Sequence, residues 1–290
     1  VQLDDSDIDW SLPIELDADK AQDFGIGPGM GSYWPFHNGG SSKLWDISGN
    51  GYHGDLQPYT GSPLNAPAWS HGNSGEPTLS FAAASSQYAE YAGTTITGYP
   101  VSMWCWINFS DTSNTFRDPM FLGHGSTTDV YNGLQITSDA TGLTRHAALY
   151  NCTNGVVFAT PAGTTALNDG KWHLLTGTSV AASHKLYVDG VLIATNTTSV
   201  TYPSLNRMTF GALNYGGTRI QYWNGLATGS GLAAKELSAA QIATLYNSPY
   251  FLLWQPGTRS LFDMRYDPTP YERNFRIASG GSWNDVNDSL

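Results

Sequence analysis

The chain is short of charge, cysteine and long apolar runs, and each shortage excludes something. Asp, Glu, Lys and Arg make up only 13% of the 290 residues, and the balance is acidic, at −11. A nucleic-acid binder needs clustered Lys and Arg to release counterions from phosphates, so that function class is excluded, and attraction to an anionic membrane surface goes with it. No apolar run approaches the roughly 18 residues of a membrane-spanning helix. The first residues, VQLDDSDIDW, lack a basic stretch followed by an apolar core, so no signal peptide is expected. Two cysteines, Cys105 and Cys152, are too few for a disulfide framework. Cys105 falls on the strand face it shares with Val101, Met103 and Ile107 and reads as a small buried hydrophobe, with a Cys105–Cys152 disulfide as the alternative.

Catalytic patterns are missing too. Hydrolysis of a glycosidic bond takes two carboxyl groups about 5–10 Å apart, yet no glutamate lies between Glu90 and Glu236. The aspartates of that interval, Asp111, Asp118, Asp129, Asp139, Asp169 and Asp189, fall singly in expected loops or turns. No GxSxG elbow, HExxH pair, phosphate loop or dinucleotide fingerprint is present. The expectation is a protein that is not an enzyme.

What the chain has in quantity is glycine (32 residues) and aromatics (13%), the composition of strands joined by tight turns. Short runs suited to strands recur with turn signals between them: Thr78–Ala83, Gln87–Tyr91, Val101–Phe109, Met120–Gly123, Leu134–Thr137, His146–Tyr150 and Val156–Ala159. Trp172–Ser179, Lys185–Val188 and Val191–Thr195 follow, the last two joined by Asp189-Gly190, the preferred dipeptide of a type I′ hairpin. Met208–Leu213 and Arg219–Leu226 add two more. One helix is expected after Ser238, whose hydroxyl and Gln241 form a capping box ahead of IATLYN, with Leu237, Ile242, Leu245 and Tyr246 facing the sheets.

Four motifs occur in an order that resembles one family: DISGNGYHGDL (46–56), DGKWH (169–173), KLYVDGVLIA (185–194) and LSAAQIATLY (237–246). They resemble the laminin-G-like domain of the concanavalin A-like lectins. The resemblance covers residues 31–249 and implies an all-β, concanavalin A-like jelly-roll β-sandwich with one short C-terminal helix. Two arms are expected to flank it. Residues 1–30 carry seven Asp or Glu before Lys20, and residues 250–290 are rich in aromatics and proline without periodicity. Alone, the acidic arm lacks the apolar surface to offset its chain entropy, so it is expected to be held by its own domain or by a neighbouring subunit.

The pairing of GPGMGSYWPFHNGG before the sandwich with NSPYFLLWQPGTRSLF after it resembles laminin-G-like proteins encoded among the virion genes of tailed phages. That resemblance implies a structural virion protein, a capsid decoration or fibre component at the virion surface. Its partners would be other virion subunits or its own copies, joined through residues 1–30 and 250–290, and cell-surface carbohydrate. The alternative is an extracellular carbohydrate-binding lectin module, with a sandwich-fold glycoside hydrolase behind it.

Sugars stack their C–H faces on aromatic rings and bond their hydroxyls to amides and carboxylates, so loop aromatics beside such groups are the candidate contacts. Two clusters qualify: Asp129, Tyr131 and Asn132, and Asn214, Tyr215, Tyr222, Trp223 and Asn224. No cofactor is expected. Asp46, Ser48 and Asn50 offer loop oxygens that leave two readings open, a calcium site, since calcium takes six to eight oxygen ligands, or turn capping.

Overall fold

The computed structural model describes residues 14–37, 41–57, 66–71, 76–96, 98–137, 145–153, 156–160, 166–201 and 205–254. Residues 1–13 and 255–290, part of the expected N-terminal arm and most of the C-terminal one, lie outside them, as does Asp139. Two antiparallel sheets form a sandwich. The front sheet runs β12 (Val156–Thr160), β11 (Ala147–Thr153), β10 (Tyr131–Ile136), β9 (Arg117–Gly123), β16 (Leu205–Phe210), β7 (Tyr88–Ile96), β4 (Gly54–Gln57) and β3 (Lys43–Leu44). The back sheet runs β15 (Val191–Asn196), β14 (Ser183–Val188), β13 (Trp172–Val180), β8 (Val101–Asn108), β19 (Gly225–Ala233), β6 (Pro77–Phe81) and β5 (Ala68–His71), with β2 (Ser32–Trp34) also paired to β19. This is the jelly-roll sandwich that the strand spacing and the family resemblance imply.

β8 shows why the layers stack as they do. Alternate residues of a strand point to opposite faces. Val101, Met103, Cys105 and Ile107 enter the core between the sheets, while Trp104 and Trp106 point out behind the back sheet. Both faces are buried, so Met103–Ile107 is apolar throughout instead of alternating with polar residues. Cys105 and Cys152 are buried thiols in different clusters and are not joined by a disulfide.

Trp104 and Trp106 need a cover, and the chain's two ends supply it. Helix α1 (Ala18–Asp23) brings Ala21 and Phe24, and helix α2 (Ala239–Asn247) brings Ile242 and Leu245, onto the same cluster with Leu252 and Leu253. β1 (Glu15–Leu16) pairs antiparallel with β20 (Leu253–Trp254), which sets the two ends of the described chain side by side. Residues 14–30, read from sequence as arm, are therefore a layer of the sandwich. Their few apolar side chains suffice because they dock onto a preformed aromatic face.

The capping box at Ser238 and Gln241 is present, and Leu237, Ile242 and Leu245 are buried. The hairpin turn is type I′ in form, with φ +51° at Asp189 and +79° at Gly190.

Two expected strands are each broken in two. Met208–Leu213 becomes the end of β16 and the start of β17 (Leu213–Tyr215), separated by a turn at Gly211. Arg219–Leu226 becomes β18 (Thr218–Ile220) and β19, interrupted at Gln221, whose φ is +56°. β17 and β18 form a small hairpin that folds over the outer face of the front sheet and closes a third cluster, Phe121, Tyr131, Cys152 and Leu213. The expected strand ends at Leu226, whereas β19 continues through the glycine-rich TGSG to Ala233. In the fold Gly231 lies opposite Trp104, and its missing side chain makes room for the indole.

Candidate functional site

The first expected cluster does not assemble. Tyr131 lies on the outer face of the front sheet, 3% exposed, with its ring 5.8 Å from Phe121 and 5.4 Å from Tyr150. Asn132, one residue on, points the other way, between the sheets, where its Nδ2 donates to Ser179 Oγ at 3.1 Å. Strand alternation makes the two adjacent residues opposites. Asp129, with φ +57°, joins the β17–β18 hairpin instead: it accepts a hydrogen bond from Tyr215, which with burial and the carboxylate's charge raises the Tyr215 pKa.

The second cluster divides as well. Asn214 is buried and structural, its Nδ2 donating to His124 O at 2.9 Å and its side-chain oxygen accepting from Gly217 N at 3.2 Å. Trp223 is fully buried in the central core, 5.0 Å from the Phe109 ring, and is corrected from ligand contact to core. Asn224 accepts from Ala83 N at 3.4 Å. Tyr222 lines a cleft.

At Asp46, Ser48 and Asn50 the oxygens are already engaged. Asp46 Oδ1 accepts from Tyr33 N and Ser48 N at 3.3 and 2.9 Å, and Oδ2 from Ser32 Oγ and Tyr52 N at 3.2 and 3.1 Å. Ser48 Oγ accepts from Asn50 N at 3.3 Å, and Asn50 Oδ1 accepts from Gly29 N at 2.7 Å while its Nδ2 donates to Gly27 O and Gly31 O at 2.9 and 2.8 Å. This is the turn-capping geometry. It ties the 46–52 loop to residues 27–33 with acceptors a cation would have to take from backbone N–H groups. Among the described residues no group of three or more His, Cys, Asp or Glu side chains is placed to hold a metal ion.

The cleft that Tyr222 lines has a volume of about 400 Å³, within the range of small-ligand sites. Asn114, Thr115 and Phe116 of the β8–β9 loop, Arg117 at the start of β9, and Gln221 form the rest of its polar and aromatic wall. The loop is rigid for a local reason. Asp111 accepts from Ser113 N and Ser113 Oγ, each at 2.8 Å, and Arg117 donates Nε to Asp111 Oδ2 and Nη2 to Ser113 Oγ, each at 2.8 Å. Partial burial pushes the Asp111 carboxyl upward, and the Ser113 and Arg117 hydrogen bonds with the arginine's charge outweigh it, leaving the pKa below the ordinary carboxylate value.

Gln221 is held from behind. Its backbone carbonyl accepts from Asp118 N at 3.1 Å, and Gln135 Nε2 bridges Gln221 Oε1 and Asp118 Oδ1, each at 2.9 Å. Asp118, expected in a loop, is the second residue of β9 and fully buried. Burial pushes its carboxyl well above the ordinary value, and the bond from Gln135 and the charge of Arg117 offset only part of that. Beside the cleft, Tyr222 approaches Tyr88 at 6.3 Å, and the Arg219 guanidinium lies over Tyr88 at 5.6 Å while pairing with Glu90. Sequence reading missed the loop DTSNTFRD. Its signal was there: Asp-x-Ser reads as an Asx turn, and the first Asp stands six residues before an Arg.

The DGKWH–KLYVDG stretch, expected as scaffold, carries one ionic clamp. His173 Nδ1 meets Asp189 Oδ2 at 2.8 Å and Nε2 meets Asp169 Oδ1 at 3.1 Å, while Asp189 Oδ1 accepts from Leu174 N at 2.9 Å. The clamp fastens the hairpin turn to the start of β13.

No curated protein matches the chain by sequence. Among solved structures, domain 4 of AbnA, an extracellular arabinanase from Geobacillus stearothermophilus solved with arabinotriose, matches with a TM-score of 0.58 at 15% identity, covering 75% of this chain and 98% of that one. The ligand-binding domain of botulinum neurotoxin serotype D, solved with N-acetylneuraminic acid, matches with a TM-score of 0.53 at 13% identity over 80% of this chain and 53% of that one. At such identities the likeness is one of fold. Residues 83–243 match the family model described as the concanavalin A-like lectin/glucanases superfamily, Laminin_G_3, a span that takes in the whole cleft. By that match, over more than half of its length, the chain belongs to the concanavalin A-like lectin/glucanase superfamily.

Proposed function

We propose that the chain is a non-catalytic carbohydrate-binding module and that its glycan site is the cleft between the β8–β9 loop and Gln221–Tyr222. One observation carries this reading: two aromatic rings, Phe116 and Tyr222, share a wall with the amides of Asn114 and Gln221 and with Arg117, on a loop pinned by Asp111. Rings give a sugar its stacking face, and pre-positioned amides give it hydrogen bonds at low ordering cost. The complexes of two fold neighbours, with arabinotriose and with N-acetylneuraminic acid, support a glycan as the ligand class. The non-catalytic part rests on the carboxyls nearby: Asp111 is committed to Arg117, and Asp118 is buried behind Gln135. The test is a glycan array followed by calorimetry on wild type and Tyr222→Ala. Loss of one stacking ring is expected to weaken binding about tenfold. An array without a single hit, or release of reducing ends from a bound polysaccharide, overturns the reading.

A second, compatible reading is a virion decoration or fibre subunit that displays this sandwich. It is favoured by the β1–β20 pair, which lets both terminal segments leave from one place and act as a single anchor. Removing residues 1–13 and 255–290 should then leave a folded sandwich that no longer joins its particle. Full occupancy by the shortened chain would sink it.

A further inference from the structure

We infer that the cleft takes an acidic saccharide, one bearing a carboxylate, in preference to a neutral one, an inference that rests on the glycan-binding reading above. Lysines and arginines are paired unevenly in this chain. Each of its five lysines has its own carboxylate: Lys20 with Asp17, Lys43 with Asp55, Lys171 with Asp169, Lys185 with Glu236 and Lys235 with Asp23. Of the four arginines among the described residues, only Arg117 does. Arg207 and Arg219 share Glu90, at 3.8 Å for Arg207, Arg117 has Asp111, and Arg145 donates to the Thr112 carbonyl with no carboxylate in ion-pair range among the described residues.

All four stand on or around the outer face of the front sheet and the loop beside it. Arg117 lines the cleft, Arg145 bonds the loop that forms its wall, and Arg219 lies over Tyr88, the neighbour of Tyr222. The described carboxyls there are Glu90, Asp55 opposite it and paired with Lys43, Asp111, Asp129 at the Tyr215 end, and Asp118, which burial pushes well above the ordinary carboxylate range. Among the described residues that line the cleft, Arg117 is the one charged side chain and no carboxylate joins it in the lining, in a chain of net charge −11. Arg117 spends Nε and Nη2 on the loop, so Nη1 is the donor left for a ligand. A carboxylate at that donor gains a charge-assisted bond that a hydroxyl does not. Its ring would stack on Phe116 or Tyr222.

The test uses the full chain and matched probes, lactose against 3′-sialyllactose and galactotriose against trigalacturonic acid, by calorimetry at 50 and at about 300 mM salt. The acidic member of a pair should bind about tenfold or more tightly, and that advantage should shrink at high salt. Asp111→Asn, which keeps an oxygen for Ser113 N while releasing the guanidinium, should widen the ratio of acidic to neutral binding. Equal or tighter binding of the neutral probes, insensitive to salt, overturns the inference and leaves the glycan-binding reading standing. Binding of neither class, here and on the array, overturns both. An Asp111→Asn variant that folds but does not favour the acidic probe removes Arg117 as the contact.

Discussion

Gly231→Ala tests the packing that seats both ends of the described chain. A methyl group on Gly231 would stand 2.0, 2.3 and 2.4 Å from Cζ2, Cε2 and Cη2 of Trp104. Carbon atoms in contact sit about 3.5–4.0 Å apart, so the indole has to move by roughly 1.5 Å. It has nowhere easy to go. Trp104 is 1% exposed, 6.3 Å from the Tyr33 ring and in one cluster with Phe24, Ile242 and Leu245. Overpacking of this kind costs about 1–3 kcal/mol, and the rigidity of the ring and of its cover places this site near 3. Urea unfolding followed by tryptophan fluorescence measures the loss. Trp104→Leu in the Gly231→Ala background should recover part of it, giving a coupling of about 1 kcal/mol or more between the two positions. A Gly231→Ala protein within about 0.5 kcal/mol of wild type would refute this account of the packing, since the methyl would then be accommodated without disturbing Trp104.

His173 predicts a pH dependence. Burial lowers its pKa, but Asp189 and Asp169 raise it by more, so the folded value lies above the ordinary one. A group raised on folding contributes stability fully below its unfolded pKa and loses that contribution as pH climbs through the folded one. Stability should therefore fall as pH rises from about 6.5 through that range, and His173→Gln should abolish this part of the profile in denaturant titrations at each pH. Asp169, which burial pushes upward but which the hydrogen bonds from Lys171 and His173 and the charge of His173 together bring down to about 2, loses its contribution at the other end, as pH falls from 3.8 towards 2. Ser238→Ala removes the α2 cap and should cost about 1 kcal/mol, read from the unfolding midpoint. Asp46→Ala strands Tyr33 N, Ser48 N and Tyr52 N together and should cost about 3 kcal/mol. A melting point that responds to calcium in wild type and not in Asp46→Ala would return the loop to the calcium reading.

Elements whose pattern is local were legible in the sequence. The capping box at Ser238 and Gln241 and the Asp189-Gly190 turn each specify backbone geometry within four residues, and both are present. β8 was legible because its apolar run is uninterrupted. The candidate site was legible at one residue, Tyr222. Its neighbours failed for opposite reasons: Trp223 looks like Tyr222 in sequence but points into the core, while Phe116 and Gln221 carry no motif of their own and meet only when two distant segments close on each other.

Composition and local turn chemistry by themselves determined the class of fold, the helix and the hairpin, because propensity, capping and positive φ act over a few residues. The tertiary structure alone decided which face each side chain took. Only folding could set residues 14–30 against Trp104, turn the glycines of β19 into a strand that accommodates the indole, and gather four scattered arginines about one sheet. Those outcomes depend on contacts between residues far apart in the chain, and no spacing within the chain encodes them.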